Sequence, residues 1–111
     1  MSENGTVLEI TDANFEESVE KGSGLTMVDF WAVWCGPCRI IAPSVEQLAE
    51  EYGEKGLTVG KLDVDNNPHT AARFGVRSLP SVLFFKDGEH VDTVIGAVPK
   101  PTLEAKINEL I

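Results

Sequence analysis

Only two cysteines occur in the 111 residues, at Cys35 and Cys38. A secreted framework of structural disulfides in so small a chain usually needs four or more, which excludes that class. Zinc needs about four ligands at suitable spacing. Beyond the two cysteines the histidines are His69 and His90, far apart and not in a ligand pair. No metal site held by this chain alone is expected; an intersubunit site, with two chains each giving a Cys pair, would need a dimer. Cations are scarce: 9 Lys+Arg against 18 Asp+Glu give a formal net charge of -9. That disfavours nucleic acid, whose phosphates are bound mainly by Lys and Arg, and would steer basic partner surfaces rather than acidic ones. No apolar run approaches the roughly 20 residues of a membrane span. The start, Met1-Ser2-Glu3-Asn4-Gly5, lacks the basic and apolar regions of a signal peptide. One soluble, monomeric, cytoplasmic domain over residues 1–111 is the expectation.

Several short motifs fail on inspection. Asp63, Asp65 and Asn67 imitate the start of a calcium loop, but Pro68 stands where the turn glycine belongs and Phe74 where the closing glutamate belongs. Gly60-Lys61 resembles the end of a P-loop, yet Lys55 replaces its earlier glycine and Leu62 its Ser/Thr. Asn4-Gly5-Thr6 is a glycosylation sequon without meaning unless the chain is secreted. No G-x-G-x-x-G follows a strand, so no bound dinucleotide is expected.

What is present is a core: 42% of the residues are hydrophobic. The pattern reads strand near Val7 to Ile10, then a short helix capped by Thr11 or Asp12, carrying Phe15 and Val19 and ended by Gly22. Leu25 to Ala32 is almost continuously apolar, as in a strand buried on both faces. A helical stripe follows in Ile41, Val45, Leu48, Ala49 and Tyr52, with Gly53 as its stop. Leu57 to Val64 reads as a strand and Asn67 to Phe74 as a short helix with Pro68 in its first turn. Ser81 to Lys86 and His90 to Ile95 flank Asp87-Gly88, a hairpin signal. Leu103, Ile107, Leu110 and Ile111 line a last helix. Strands alternating with helices, then a hairpin, imply an α/β fold: a mixed sheet covered by helices on both faces.

In that order Trp34-Cys35-Gly36-Pro37-Cys38 falls where the long buried strand meets its helix, a common reactive position in α/β sheets. Two intervening residues in a tight turn bring the sulfurs within disulfide distance. So short a loop loses little entropy on closure and makes a poor stability staple. The unpaired N–H groups of the first helical turn stabilise a thiolate there, so Cys35 is expected to be exposed and nucleophilic. Cys38, one turn in, is expected to be less exposed and to resolve. Gly36 offers no side chain to block an incoming disulfide, and Pro37 fits an early helical position.

Asp29 interrupts the buried strand. Alternation puts it on one face with Leu25, Met27 and Trp31. A buried carboxylate tends to have its pKa raised by desolvation. Lys61, similarly placed in the next strand, can pair with Asp29 behind the cysteines. Either Asp29 exchanges a proton with Cys38, or it is a carboxylate satisfied by polar neighbours.

With "VDFWAVWCGPCRIIAPSVEQLAEEY", "LTVGKLDVDNNPHTAARFGVRSLPSVLFFKDGE" and "VIGAVPKPTL" in view, the chain resembles the thioredoxin family from about Val7 to Leu110. The resemblance implies the thioredoxin fold, with about five strands and about four helices, and reduction of protein disulfides. Residue by residue, Cys35 resembles the attacking nucleophile, Cys38 the resolving thiol, and Asp29 with Lys61 the proton-transfer pair. Pro80 resembles the family's cis-proline facing the active site, which would leave the Leu79 backbone free to pair with an extended substrate. Trp31, Trp34, Gly36, Pro37, Ser78, Leu79, Gly96 and Ala97 resemble the rim of the substrate groove, and Pro43 the proline inside the active-site helix. The resemblance further implies no bound cofactor, with electrons arriving from NADPH through a flavoprotein thioredoxin reductase. Val33, Arg39, Leu79 and Pro99 depart from residues common in relatives; Pro99 replaces a helix-capping serine. An oxidase or isomerase of the same fold, and a redox-independent binding module, are the competing readings. Gly36-Pro37 adds no positive charge between the cysteines and so favours a reductant.

Overall fold

Strand and helix patterns resolve into five strands and three α-helices in the computed structural model, which describes residues 6–111. The strands are β1 (Val7–Glu9), β2 (Leu25–Trp31), β3 (Leu57–Asp63), β4 (Ser81–Lys86) and β5 (Glu89–Ile95). They lie in the order β1-β3-β2-β4-β5. The first three run parallel, and β4 and β5 join antiparallel. The helices are α1 (Gly36–Tyr52), α2 (Pro68–Arg73) and α3 (Lys100–Leu110), preceded by one π-helical turn at Glu16–Glu20. The expected mixed sheet of about five strands and four helical segments is observed. The Met1–Gly5 start, with most of the sequon, lies outside the described residues.

The near-continuous apolar run of β2 is explained by two covered faces. Leu25 and Met27 pack with Ile41, Val45 and Leu48 of α1 and with Leu103 and Ile107 of α3. Val28 and Phe30 point the other way, toward Phe15, Val19, Leu62 and Ala71. Each such side chain removed from water stabilises the fold by about 1.5–3 kcal/mol. At the Asp87-Gly88 turn both residues have positive φ (50° and 85°), which suits the twist of a two-residue hairpin.

Local detail departs from expectation in two places. Helix α1 begins at Gly36, with Pro37 in its first turn as expected and Cys35 as its N-cap. It ends at Tyr52 with Gly53 as its C-cap, as expected, but not through a left-handed glycine: Gly53 keeps right-handed helical angles, the chain tightens into a 3₁₀ turn at Gly53–Lys55, and Gly56 (φ 100°) makes the left-handed exit. Neither Thr11 nor Asp12 caps the π-helical turn, whose N-cap is Phe15 with no side-chain cap; Thr11 Oγ1 accepts from the Asn14 N–H at 3.1 Å in the turn before it. Asp12 instead reaches across to α2, accepting from the Thr70 N–H (2.8 Å), the Thr70 hydroxyl (2.6 Å) and the His69 N–H (3.1 Å). Asn67, at the start of α2, makes no side-chain cap of its own, so the orphan N–H groups take this distant carboxylate. Burial alone would raise the Asp12 pKa; the hydrogen bonds from Thr70 and His69 outweigh it and hold the carboxyl below its ordinary value.

Candidate active site

β2 ends at Trp31, and after four intervening residues the chain enters α1 at Gly36. This places Trp34 to Cys38 over the carboxyl edge of the central strand. Cys35 is the N-cap, in extended conformation, and its Sγ accepts from the Cys38 N–H at 3.2 Å. Cys35 and Cys38 form a disulfide with Cα atoms 5.3 Å apart. Both are buried, at 4% and 3% exposure. The expectation of an exposed Cys35 is therefore corrected: Trp31, Val64 and Leu79 pack around the cystine, and both cysteines are buried to a similar degree.

Two spaces meet at the cystine. In front lies an open groove of about 530 Å³ lined by Trp34, Cys35, Gly36, Pro37, Val64, Val76, Arg77 and Leu79. A Cβ built on Gly36 would meet nothing within 4 Å, so that flank is open to an incoming chain. The Trp34 indole N–H donates to Asp65 Oδ2 at 2.8 Å, which fixes a ring that is 67% exposed. Behind lies a cavity of about 290 Å³ whose lining includes Asp29, Trp31, Cys38, Val45 and Lys61.

Asp29 is buried at 5% exposure, and burial pushes its pKa up to about 7, partly offset by the Lys61 charge. Asp29 and Lys61 are register partners across β2 and β3. They make no direct ion pair among the described residues. The Lys61 ammonium instead sits 5.7 Å from the Trp31 ring centroid, an attractive cation–π arrangement. Long-range attraction persists because Lys61 on β3 lines the same cavity as Asp29.

The Leu79–Pro80 bond is cis. The Gly96 N–H donates to the Pro80 carbonyl at 2.9 Å, bringing the end of β5 beside that proline. Of the residues assigned to the rim, Trp34, Gly36, Pro37 and Leu79 line the groove with Cys35. Ser78 and Ala97 are exposed neighbours outside the lining, and Trp31 turns inward to the rear cavity. Pro43 lies inside α1. Val64, Val76 and Arg77 were missed. Their signal was topological: Val64 directly follows β3, which ends beside β2, and loops at the carboxyl ends of parallel strands gather at one edge. Among the described residues no three of His, Cys, Asp and Glu group as metal ligands, and no helix is long and apolar enough to cross a membrane.

A cystine closing the first turn of a helix, above a buried carboxyl on the central strand, defines a thiol–disulfide oxidoreductase on an α/β scaffold. Comparison with known proteins narrows this. The thioredoxin family model matches residues 6–109, and the chain belongs to that family. It is 51% identical over 106 residues to a thioredoxin of Porphyra purpurea, covering 96% of this chain and 98% of that one. It is 52% identical over 105 residues to a thioredoxin of Listeria monocytogenes, covering 95% and 99%. A chloroplastic M-type thioredoxin of Pisum sativum is 50% identical over 102 residues, 92% of this chain and 59% of that one. The protein is a protein-disulfide reductase of the thioredoxin type.

Proposed function

We propose that Cys35 is the attacking thiolate, Cys38 the resolving thiol, and Asp29 the group that exchanges the Cys38 proton. One observation carries this division of roles: the cystine separates two spaces, a groove that reaches Cys35 and a cavity that reaches Cys38 and Asp29. In the reduced protein, the Cys38 N–H and the α1 N-terminus stabilise negative charge on the Cys35 sulfur. That thiolate attacks one sulfur of a substrate disulfide. A Cys35–substrate bond forms, the substrate S–S bond breaks, and one substrate thiolate leaves. Cys38 then loses its proton to Asp29 and attacks the Cys35 sulfur, releasing the second substrate thiolate. Two electrons pass to the substrate, and the protein is left as the Cys35–Cys38 disulfide. Lys61 tempers the Asp29 pKa and keeps the proton mobile near neutrality.

The substrate lies along the groove in extended form. The N–H of Leu79 has no backbone partner among the described residues, which supports β-type pairing with it. Trp34, Gly36 and Pro37 form one wall, Leu79 and Pro80 the other, and Ser78, Gly96 and Ala97 flank it. Trp31 supports the cystine from behind. The 111 residues act as one monomeric cytoplasmic unit, with no nucleic acid or membrane partner. A flavoprotein thioredoxin reductase, drawing on NADPH, returns the disulfide to the dithiol.

A coupled assay tests this: NADPH consumption with a thioredoxin reductase and a disulfide-bonded protein substrate. Turnover is expected with the native chain and none with Cys35→Ser. No coupling to the reductase, together with a potential close to about −180 mV, the range of disulfide isomerases, would replace the reductant reading with an isomerase.

A further inference from the structure

The nine Lys and Arg residues are almost all engaged. Lys21, Arg73, Lys100 and Lys106 pair with carboxylates. Lys86 donates to the Leu110 carbonyl, and Arg39 to the Val33 carbonyl. Lys55 and Lys61 lie over the rings of Tyr52 and Trp31. Among the described residues only Arg77 has no hydrogen-bond, ion-pair or ring partner. It is exposed, and it is the one charged residue in the lining of the groove that holds Cys35. The rest of that lining is apolar or glycine. Asp65, beside the groove, is engaged by the Trp34 indole.

We infer that Arg77 is a specificity-determining residue, and that this groove favours an extended protein segment carrying an Asp or Glu within about two residues of its reacting cysteine. That reach follows from a strand rise of about 3.3 Å per residue and the length of an arginine side chain. The inference rests on the proposed role of the groove and of Cys35. It opposes what net charge dictates: a chain of -9 steers basic partners, whereas the guanidinium beside the reacting sulfur offers an acidic segment a bidentate partner on an apolar floor.

Peptides that differ in the residue beside the reacting cysteine separate the two effects. Disulfide peptides with Glu, Asp, Gln or Lys beside the reacting cysteine, on either side of it, are reduced by the fully reduced protein in single turnover. Each rate is divided by the rate with a small-molecule dithiol, because a neighbouring carboxylate makes the cysteine a poorer leaving thiolate. The Glu peptide is expected to react about five- to tenfold faster than the Lys peptide at low ionic strength, less at high salt. In Arg77→Gln the Glu-to-Lys ratio falls to or below parity, and in Arg77→Glu it inverts. Lys55→Glu makes the same charge change away from the groove and leaves the ratio above parity. A native ratio at or below one, or a ratio unchanged in both Arg77 variants, overturns the inference. Reduction of the Gln peptide reads the groove and Cys35 separately: if Cys35→Ser still reduces it, the underlying site assignment has failed instead.

Discussion

An ordinary aspartate titrates near 3.8, while burial under α1 pushes Asp29 up to about 7, with the Lys61 charge pulling the other way. Between those values the folded chain keeps a proton that the unfolded chain has released. Folding then takes up a proton, so stability falls as pH rises through that window and levels off above about 7. Asp29→Asn removes the dependence. Chemical denaturation at about pH 8 is expected to show the variant more stable by a few kcal/mol, with the gain shrinking as pH drops toward about 4. A loss of stability at neutral pH would contradict a strained buried carboxyl. Under the proposed role of Asp29, the same variant is expected to resolve the mixed disulfide at least about tenfold more slowly, because Cys38 would lose its proton acceptor. Lys61→Met acts on the same group from outside: without that charge the Asp29 pKa rises further, and the midpoint of the stability profile moves to higher pH. Titration of the Asp29 carboxyl by NMR reads the shift directly.

The elements hold this residue in place, and their weak points are identifiable. Gly60 lies in β3 between β1 and β2, where an added Cβ would meet Ile10 Cγ1 at 2.5 Å and the Leu8 carbonyl oxygen at 3.4 Å. Ile10 is itself buried, so Gly60→Ala must displace the β1 side of the core. A loss of about 1–3 kcal/mol is expected in urea denaturation; a neutral result would mean that β1 moves aside freely. Asp12→Ala removes the side-chain cap of α2 and is expected to cost about 1 kcal/mol at neutral pH. Because the Asp12 pKa is held below its ordinary value, that contribution is present above the unfolded pKa and is lost as pH falls through the folded one. These elements also show why some features were legible in the sequence. The double-sided burial of β2 and the Asp87-Gly88 hairpin follow from local pattern. The role of Asp12 was not legible, since 58 residues separate it from Thr70. Nor was the burial of Cys35: helix-start geometry speaks of charge on the sulfur, whereas its covering comes from Val64 and Leu79, brought in by other loops. The rear cavity that claims Trp31 likewise arises from how α1 crosses the sheet, not from the strand alone.

At the scale of the molecule, α1 and α3 cover one face of the sheet, and α2 with the π-turn covers the other. The carboxyl edge of β2 is where reactive groups can meet. The cystine spans that edge, between a front groove that reaches Cys35 and a rear cavity lined by Cys38 and by Asp29, whose pKa is raised to about 7. The long strand-to-helix resemblance to the thioredoxin family was readable because the motif residues cluster in a few contiguous runs. The groove is assembled from three loops, so only part of its lining could be named beforehand. The most direct measurement of the division between Cys35 and Cys38 is trapping of the mixed disulfide. Reduced Cys38→Ser and reduced Cys35→Ser are each mixed with a disulfide-bonded protein, quenched, and mapped by mass spectrometry. Cys38→Ser is expected to accumulate a covalent adduct at Cys35, and Cys35→Ser to form little or none. Equal or faster adduct formation at Cys38 in the Cys35→Ser protein would contradict the assignment.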